Sequence, residues 1–340
     1  MMEFLPTLWF ILIAVLWIGY LILDGFDLGV GMLMKVWARN ESQRRVLLNS
    51  IGPVWDGNEV WLITAAGATF AAFPHWYASL FAGLYIPLTF ALLALILRAV
   101  SIEYRGKSQS HTARNIWDWC MAGGSFVAAF SIGAMLAITS TGLPLDSFGD
   151  RVGGPFVWFN GWAVLGGLAV VGVSLAMGWA FLSLKTLGAP REAGNRHLRR
   201  YLPVYLLPAA LWIVGVVLSY PKVVSWGMLA LASVGMLIAW ASSRRRREGL
   251  TFVGMVIFVA LGVGAIFTSL FPNVLPSTLD EAYNLTVATA SSSDYTLRIM
   301  AIVTVIFLPI VLAYSAWSYW LFRRRLGEQH IPESAVVTPV

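Results

Sequence analysis

Long, uninterrupted apolar stretches constrain this chain more than any other feature of its sequence. A helix that crosses a bilayer needs about 20 apolar residues. The apolar residues run continuously within each stretch, which favours helices over the alternating strands of a barrel. The sequence therefore predicts an all-α integral membrane protein with about nine transmembrane helices. The nine stretches cover 7–36, 50–73, 77–99, 116–139, 156–184, 201–219, 223–241, 250–270 and 298–322.

The composition agrees with a bilayer as the solvent of this chain. Hydrophobic residues make up 58% of its 340 residues and charged residues only 12%, whereas a soluble domain carries about 25% charged residues. The first stretch does not have the pattern of a cleaved signal peptide, because Glu3 stands where a basic segment is expected and the apolar run continues past Trp17. No separate soluble domain is predicted.

Basic residues alternate between dense and sparse connections along the chain. The connections after the first, third, fifth, seventh and ninth predicted helices hold 20 of the 23 Lys and Arg residues. The positive-inside rule then places the N-terminus outside and the C-terminus in the cytoplasm. The net charge of +6 needs no nucleic-acid partner, since these clusters face anionic lipid. They comprise Lys35, Arg39, Arg44 and Arg45; Arg98, Arg105, Lys107 and Arg114; Lys185, Arg191, Arg196, Arg199 and Arg200; Arg244 to Arg247; and Arg323 to Arg325.

Acidic residues inside the apolar stretches are the best candidates for a functional site. Each costs about 3 kcal/mol at a helix centre, so each requires a partner, a cavity or a function. The first helix carries Asp24 and Asp27, three positions apart, and the second carries Asp56 and Glu59 at the same spacing. A short connection joins the two helices. We therefore expect the two carboxylate pairs to meet in the cytoplasmic half of the membrane.

The surroundings of these pairs suggest two interpretations. Asp24 is predicted to lie roughly 18 Å, and Asp56 roughly 12 Å, inside the cytoplasmic ends of their helices, at about 1.5 Å per residue. Asn58 lies between Asp56 and Glu59, and Trp55 precedes them. Carboxyl groups that water bridges within a membrane are typical of proton relays. The structural alternative is that the acids only set helix packing, through bonds to Asn58, the backbone or a Trp N–H.

Three further charged residues lie at the same predicted end of the bundle. Glu103 and Lys107 follow the third helix at a spacing that favours an ion pair, and a solvated surface pair is an equal alternative. Asp118 opens the fourth predicted helix, where an acidic side chain is favourable for the helix dipole alone. For Asp118 the structural interpretation is therefore preferred.

The sequence lacks the groups that other chemistries need. A buried haem usually has a histidine ligand, and no histidine falls inside a predicted helix. No Gly-rich phosphate loop, zinc-protease motif or nucleophile motif is present. We therefore predict neither catalytic residues, nor a metal site, nor a haem-binding site in this chain. The four histidines are His75, His111, His197 and His330.

Five segments of the chain resemble subunit II of the cytochrome bd-type quinol oxidases. The WDGNEVW run at 55–61 is the most specific of these signals, and the resemblance covers essentially the whole chain. The segments are LDGFDLGVG (23–31), GPVWDGNEVWLITAAGA (52–68), LRAVSIEYRGK (97–107), FPNVLPSTL (271–279) and YSAWSYWLFRRRL (314–326).

The resemblance implies a fold of two four-helix bundles plus one extra helix, pseudosymmetric with subunit I. The first bundle would occupy residues 1–140 and contain the carboxylate cluster, and the second would occupy 155–270. Residues 298–322 would form the ninth helix and 326–340 a cytoplasmic tail. The resemblance also implies a multi-pass protein of the bacterial cytoplasmic membrane.

The function implied by the resemblance belongs to a complex. Subunit I would bind two haems b and a haem d, oxidise quinol and reduce oxygen to water with cytoplasmic protons. This chain would bind no haem, would support subunit I, and would provide a proton-uptake path. Small single-helix accessory subunits are further partners that the resemblance allows. Some members hold a quinone in subunit II as a structural element, and no motif here decides for or against one.

The family's proton path carries over to Lys107, Glu103, Asp56 and Asp24. In some members the position of Glu103 is Asp, which keeps the carboxylate, and the position of Glu59 is Gln, which weakens a claim that Glu59 is essential. Two alternatives remain open: a proton- or cation-coupled transporter, and a structural partner whose acids only set packing. The supporting residues are Trp55, Asn58, Glu59 and Asp27.

Overall fold

The molecule is built almost entirely from helices. The computed structural model describes residues 4–108 and 110–331. Within those ranges a single short sheet pairs the antiparallel strands β1 (Asn273–Leu275) and β2 (Leu285–Thr286). The predicted all-α class is confirmed. The helices are α1 (Phe4–Val36), α2 (Glu41–Ile51), α3 (Trp55–Ala72), α4 (Pro74–Gly83), α5 (Tyr85–Tyr104), α6 (His111–Thr141), α7 (Gly161–Lys185), α8 (Ala189–Ser219), α9 (Val223–Arg244), α10 (Glu248–Leu270), α11 (Val287–Ala290) and α12 (Asp294–Leu321).

Eight helices of the described chain are long and apolar enough to cross a membrane, namely α1, α5 to α10 and α12. They correspond to eight of the nine predicted stretches. The second stretch, 50–73, corresponds to α3, which is 18 residues long but is not among the eight. The polar run WDGNE at its start lowers its mean hydropathy.

Two predicted helices are each interrupted by a break. The stretch 50–73 contains the end of α2, a turn at residues 52–54 and then α3. Pro53 contributes to the turn, because proline has no N–H with which to extend the hydrogen bonds of α2. Asp56 consequently lies in the first turn of α3, and the prediction that it lies well inside a helix was wrong. The stretch 77–99 is likewise divided between α4 and α5 at Leu84.

The second half of α1 forms the centre of the bundle. Every residue from Asp24 to Met34 is buried, because α1 packs against α3, α6 and α7. The crossing with α7 is close: a Cβ added at Gly29 would lie 1.9 Å from the Ser174 carbonyl oxygen, and Gly178 faces Gly29 from α7. Small residues permit such an approach where helices pack within lipid.

The two ends of the bundle differ in chemistry. We call one the loop end, formed by residues 142–160 and 271–293, and the other the basic end, formed by the ends of α1, α5 and α7 and by α2. The connection 271–293 is ordered and contains β1, β2 and α11. The predicted tail 326–340 begins docked at the basic end, where the Leu326 N–H donates to the Lys185 carbonyl at 2.8 Å. Its residues 332–340 lie outside the described residues.

Candidate functional site

A single buried arginine joins two acidic side chains from different helices. Arg98 of α5 donates to Asp24 Oδ1 at 2.8 Å and to Glu59 Oε2 at 3.2 Å. The side chains of Arg98 and Asp24 are 0% exposed, and that of Glu59 is 17% exposed. Charged groups taken out of water need such partners to offset the loss of solvation. Arg98 therefore fixes α1, α3 and α5 relative to one another.

A second set of contacts extends this site towards α12. Asn58 Nδ2 donates to Asp27 Oδ2 at 2.6 Å, and the Tyr319 hydroxyl donates to Asn58 Oδ1 at 2.7 Å. Asp27 is fully buried and Asn58 nearly so. Asp24 Oδ2 and Asp27 Oδ1 are buried and accept no hydrogen bond from the described residues. The site thus retains free acceptors that water or a proton can satisfy.

We call this set of six residues the acidic network. The structure brings together four residues that the sequence singled out and adds two that it did not. Arg98 was assigned to a cytoplasmic cluster, but α5 continues to Tyr104 and buries it, so that assignment was wrong. Tyr319 lies on a helix that was predicted without a site residue. The acidic network comprises Asp24, Asp27, Asn58, Glu59, Arg98 and Tyr319.

Four other predicted site residues lie outside the acidic network. Asp56 is exposed and Trp55 is half-buried at the start of α3. Glu103 and Lys107 are exposed at the basic end. They do not form the ion pair that their spacing favours; instead the Lys107 ammonium lies 5.0 Å from the centre of the Tyr104 ring.

Asp118 belongs to an ion-pair cluster at the basic end. Its carboxylate accepts from Arg105 Nε at 2.5 Å and lies 3.4 Å from Arg44 Nε. Arg105 also donates two hydrogen bonds to Glu41. Because α6 begins at His111, Asp118 does not open the helix, and its predicted role at the helix start was wrong. We call Glu41, Arg44, Arg105 and Asp118 the α2 clamp.

The α2 clamp changes the acidity of Glu41. Burial alone would raise the pKa of this carboxyl, but the Arg105 hydrogen bonds and charge, with Arg114 and Arg44 nearby, outweigh burial and place the pKa below its ordinary value. The ionised form of Glu41 is therefore the form that holds α2 against α5 and α6.

A further cluster fastens the chain after α12. Glu248, at the start of α10, accepts from Arg191 Nε at 2.7 Å, from Asn195 Nδ2 at 2.8 Å and from Arg325 Nη2 at 2.7 Å. The cluster therefore ties α8, α10 and the segment after α12 together at the basic end.

Comparisons with known proteins agree with this architecture. The family model described as cytochrome bd terminal oxidase subunit II matches residues 5–322. This chain belongs to that family. It is 38% identical to the cytochrome bd ubiquinol oxidase subunit 2 of Bacillus subtilis (strain 168), over 96% of this chain and 98% of that one. It is 32% identical to the cytochrome bd-I ubiquinol oxidase subunit 2 of Escherichia coli (strain K12), over 97% of both chains.

The fold is also found in a solved structure. A chain of the bd oxidase from Geobacillus thermodenitrificans superposes with a TM-score of 0.75 at 19% identity, covering 94% of this chain and 99% of that one. Family membership and the eight long apolar helices make the chain a multi-pass membrane protein and a subunit of a terminal oxidase, an oxidoreductase complex. Membership of the family implies a subunit I partner and haem in the complex.

The four histidines of the described chain are not placed together as ligands of a buried haem. His111 and His330 are exposed. His75 contacts the Phe148 carbonyl at 2.9 Å, and His197 stacks on Trp179 with 4.4 Å between ring centres. None of the four histidines lines the apolar cavities and grooves around Trp17, Leu21, Phe26 and Leu92 of the described chain. Within the described ranges no three His, Cys, Asp or Glu residues group as metal ligands.

Proposed function

We propose that this chain is the non-haem subunit of a quinol-oxidising terminal oxidase in the bacterial cytoplasmic membrane. In this role it supports the haem-bearing subunit I and provides a path for proton uptake from the cytoplasm. The names of the Bacillus and Escherichia relatives support quinol as the reductant. The density of Lys and Arg at the basic end supports a cytoplasmic location for that end.

The charge balance of the acidic network is the observation that carries the proton path. The acidic network contains three carboxyl groups, on Asp24, Asp27 and Glu59, but one guanidinium, that of Arg98, which donates to Asp24 and Glu59. Net charge within a low-dielectric region is costly, so a nearly neutral site requires protons on carboxyl groups. A proton on one of these carboxyl groups lies beside carboxylate oxygens that accept no hydrogen bond from the described residues. It can therefore be passed to a neighbouring group.

The path would run from the basic end to the acidic network. Lys107 and Glu103 are exposed at the basic end and can take up protons from water. Asp56, exposed in the first turn of α3, would receive them, and Asp24 would hold them inside the bundle. These four residues do not hydrogen-bond directly to one another, so water must bridge the steps between them.

The position of Asp56 also supports a proposal for where the partner packs. An exposed carboxylate would cost about 3 kcal/mol against hydrocarbon. Asp56 shares its face of α3 with Gly57, Val60, Thr64 and Gly67, all exposed. We place subunit I against this face, where it would cover Asp56. The proton path and the contact with subunit I would then lie on the same surface of this chain.

Substitutions of the two exposed acids test the proton path. Asp56→Asn and Glu103→Gln should each lower quinol-driven oxygen consumption about tenfold, which corresponds to about 1.4 kcal/mol of barrier, while the haem absorbance of the complex stays intact. Glu281→Gln, at an exposed acid of the loop end, is the matched control. Normal turnover by fully assembled Asp56→Asn and Glu103→Gln complexes would favour the structural alternative instead. No observation favours the transporter alternative, since membership of the oxidase family accounts for the acidic residues.

A further inference from the structure

A groove separates α12 from the body of the bundle at the basic end. Within α12 only Leu297 is buried, and the helix is fastened at a few points. The Trp9 indole donates to the Leu297 carbonyl at 3.1 Å, Tyr319 reaches Asn58, and Arg325 and Leu326 dock beyond the end of the helix. Between these points α12 leaves an open groove of about 1050 Å³.

The inner wall of the groove is apolar and aromatic. Phe26 of α1 stacks on Phe181 of α7, with 4.1 Å between ring centres, and meets Phe252 of α10 edge-on at 6.4 Å. Leu23 and Leu184 extend the same wall. A surface of this composition suits hydrocarbon chains, because it offers them contact area and nothing that requires hydrogen bonding.

Two cations border the groove at the basic end. Lys185 is the last residue of α7, and Arg323 follows α12 by two residues; both line the groove, and no acidic residue does. Neither forms an ion pair within residues 4–108 and 110–331, although the neighbouring Arg325 is neutralised by Glu248. The groove therefore combines a positive mouth with an apolar wall.

We propose that this groove binds one anionic phospholipid of the cytoplasmic leaflet. Its phosphate lies between Lys185 and Arg323, and its acyl chains lie along Phe26, Phe181 and Phe252. Basic pockets between transmembrane helices at a cytoplasmic surface are a common setting for acidic headgroups. The lipid fills the space beside Tyr319 and so stabilises the position of the hydroxyl that donates to Asn58. The groove borders the acidic network at Tyr319, and its assignment to the cytoplasmic leaflet rests on the proposed location of the basic end.

Lipid retention by the intact complex tests the proposal. The complex of this chain with subunit I is purified in a mild detergent, stripped of lipid, and titrated with phosphatidylglycerol or phosphatidylcholine under native mass spectrometry. We expect one phosphatidylglycerol to bind in preference to phosphatidylcholine. The double variant Lys185→Gln with Arg323→Gln should weaken phosphatidylglycerol binding by about 30-fold, since each cation near an acidic headgroup contributes about a factor of five.

Two further variants separate this site from general surface charge. Arg199→Gln with Arg324→Gln removes two exposed charges at the same end, outside the groove, and should leave binding unchanged. Leu184→Trp fills the groove without altering charge and should also abolish binding. Equal loss in the control double variant, unchanged binding in both groove variants, or a quinone found in place of the phospholipid would each overturn the proposal.

Discussion

Arg98 is the residue on which the arrangement of the acidic network depends most directly. Its planar guanidinium reaches Asp24 with one nitrogen and Glu59 with another. A lysine could not match this geometry, because its ammonium is a single point charge. The arginine therefore contributes both charge and orientation to two acids that come from different helices.

Removal of the Arg98 charge should destabilise the complex. Arg98→Met leaves the buried Asp24 without its partner, and loss of one member of a buried pair costs about 3–5 kcal/mol. We expect a lower thermal unfolding midpoint for the purified complex. The triple variant with Asp24→Asn and Glu59→Gln should recover much of the loss, since it removes the uncompensated charges as well.

The exposed Arg199 supplies the control for this experiment. Arg199→Met removes the same charge from the protein surface and should leave the unfolding midpoint close to wild type. An Arg98→Met complex as stable as the control would show that the ion pairs contribute little. Failure of the triple variant to recover stability would assign the effect of Arg98 to its packing volume.

Sequence patterns revealed the acids of this site more readily than their partner. An acidic residue in an apolar stretch is conspicuous because of its cost in hydrocarbon, which singled out Asp24, Asp27 and Glu59. Arg98 was hidden by its position, because a basic residue after an apolar run also satisfies the positive-inside rule. One signal could have found it: three acids in neighbouring helices require a counter-charge within the membrane.

At the scale of elements, the α2 clamp shows how a short helix is fixed to the bundle. α2 is amphipathic and too short to cross a membrane, with Val46, Leu47 and Ile51 buried against the bundle. Glu41 in its first turn is bonded to Arg105 at the end of α5, and Arg105 continues to Asp118 of α6. The sequence did not indicate this helix, because its polar residues resemble those of a connecting loop.

Acidification should loosen the α2 clamp. The folded state lowers the pKa of Glu41 below its ordinary 4.5, so the carboxylate stabilises the fold fully above that pH. The contribution is lost as the pH falls through the folded value. We expect Glu41→Gln to lower the unfolding midpoint at neutral pH, and the difference from wild type to shrink as the pH falls below 4.5.

A second exposed acid at the same end makes this comparison specific. Glu328→Gln, outside the α2 clamp and exposed, should leave the unfolding midpoint near that of wild type at neutral pH. A difference between wild type and Glu41→Gln that stays constant with pH would assign the effect to the shape of the side chain and not to its charge.

At the scale of the whole molecule, the length and hydropathy of the apolar stretches predicted most of the helical fold. Nine apolar stretches located the helices, but they could not show the breaks at residues 52–54 and at Leu84. Both breaks fall inside apolar segments that hydropathy treats as continuous. Which faces meet lipid and which meet a partner depends on packing between distant helices, such as the approach of Gly29 to Ser174, and no local pattern encodes it.

The exposed face of α3 provides a test of how the chain assembles. Gly57, Thr64 and Gly67 recur along this face, and small residues favour close helix packing within membranes. A Cβ at Gly67 would meet nothing within 4 Å in this chain, so the fold itself tolerates a side chain there. If subunit I packs closely against this face, Gly67→Trp should greatly reduce the amount of subunit I that co-purifies with the tagged chain.

Gly227 of α9 is the matched control for Gly67. It is also an exposed helical glycine with nothing within 4 Å of an added Cβ, but it lies on the helix that follows α8, away from Asp56. Gly227→Trp should therefore retain subunit I at the wild-type level. If both tryptophan variants retain subunit I equally, the partner packs against another face of this chain. Another molecule would then have to cover the exposed Asp56. Selective loss of subunit I with Gly67→Trp would show that the partner surface and Asp56 of the proposed proton path lie on the same helix.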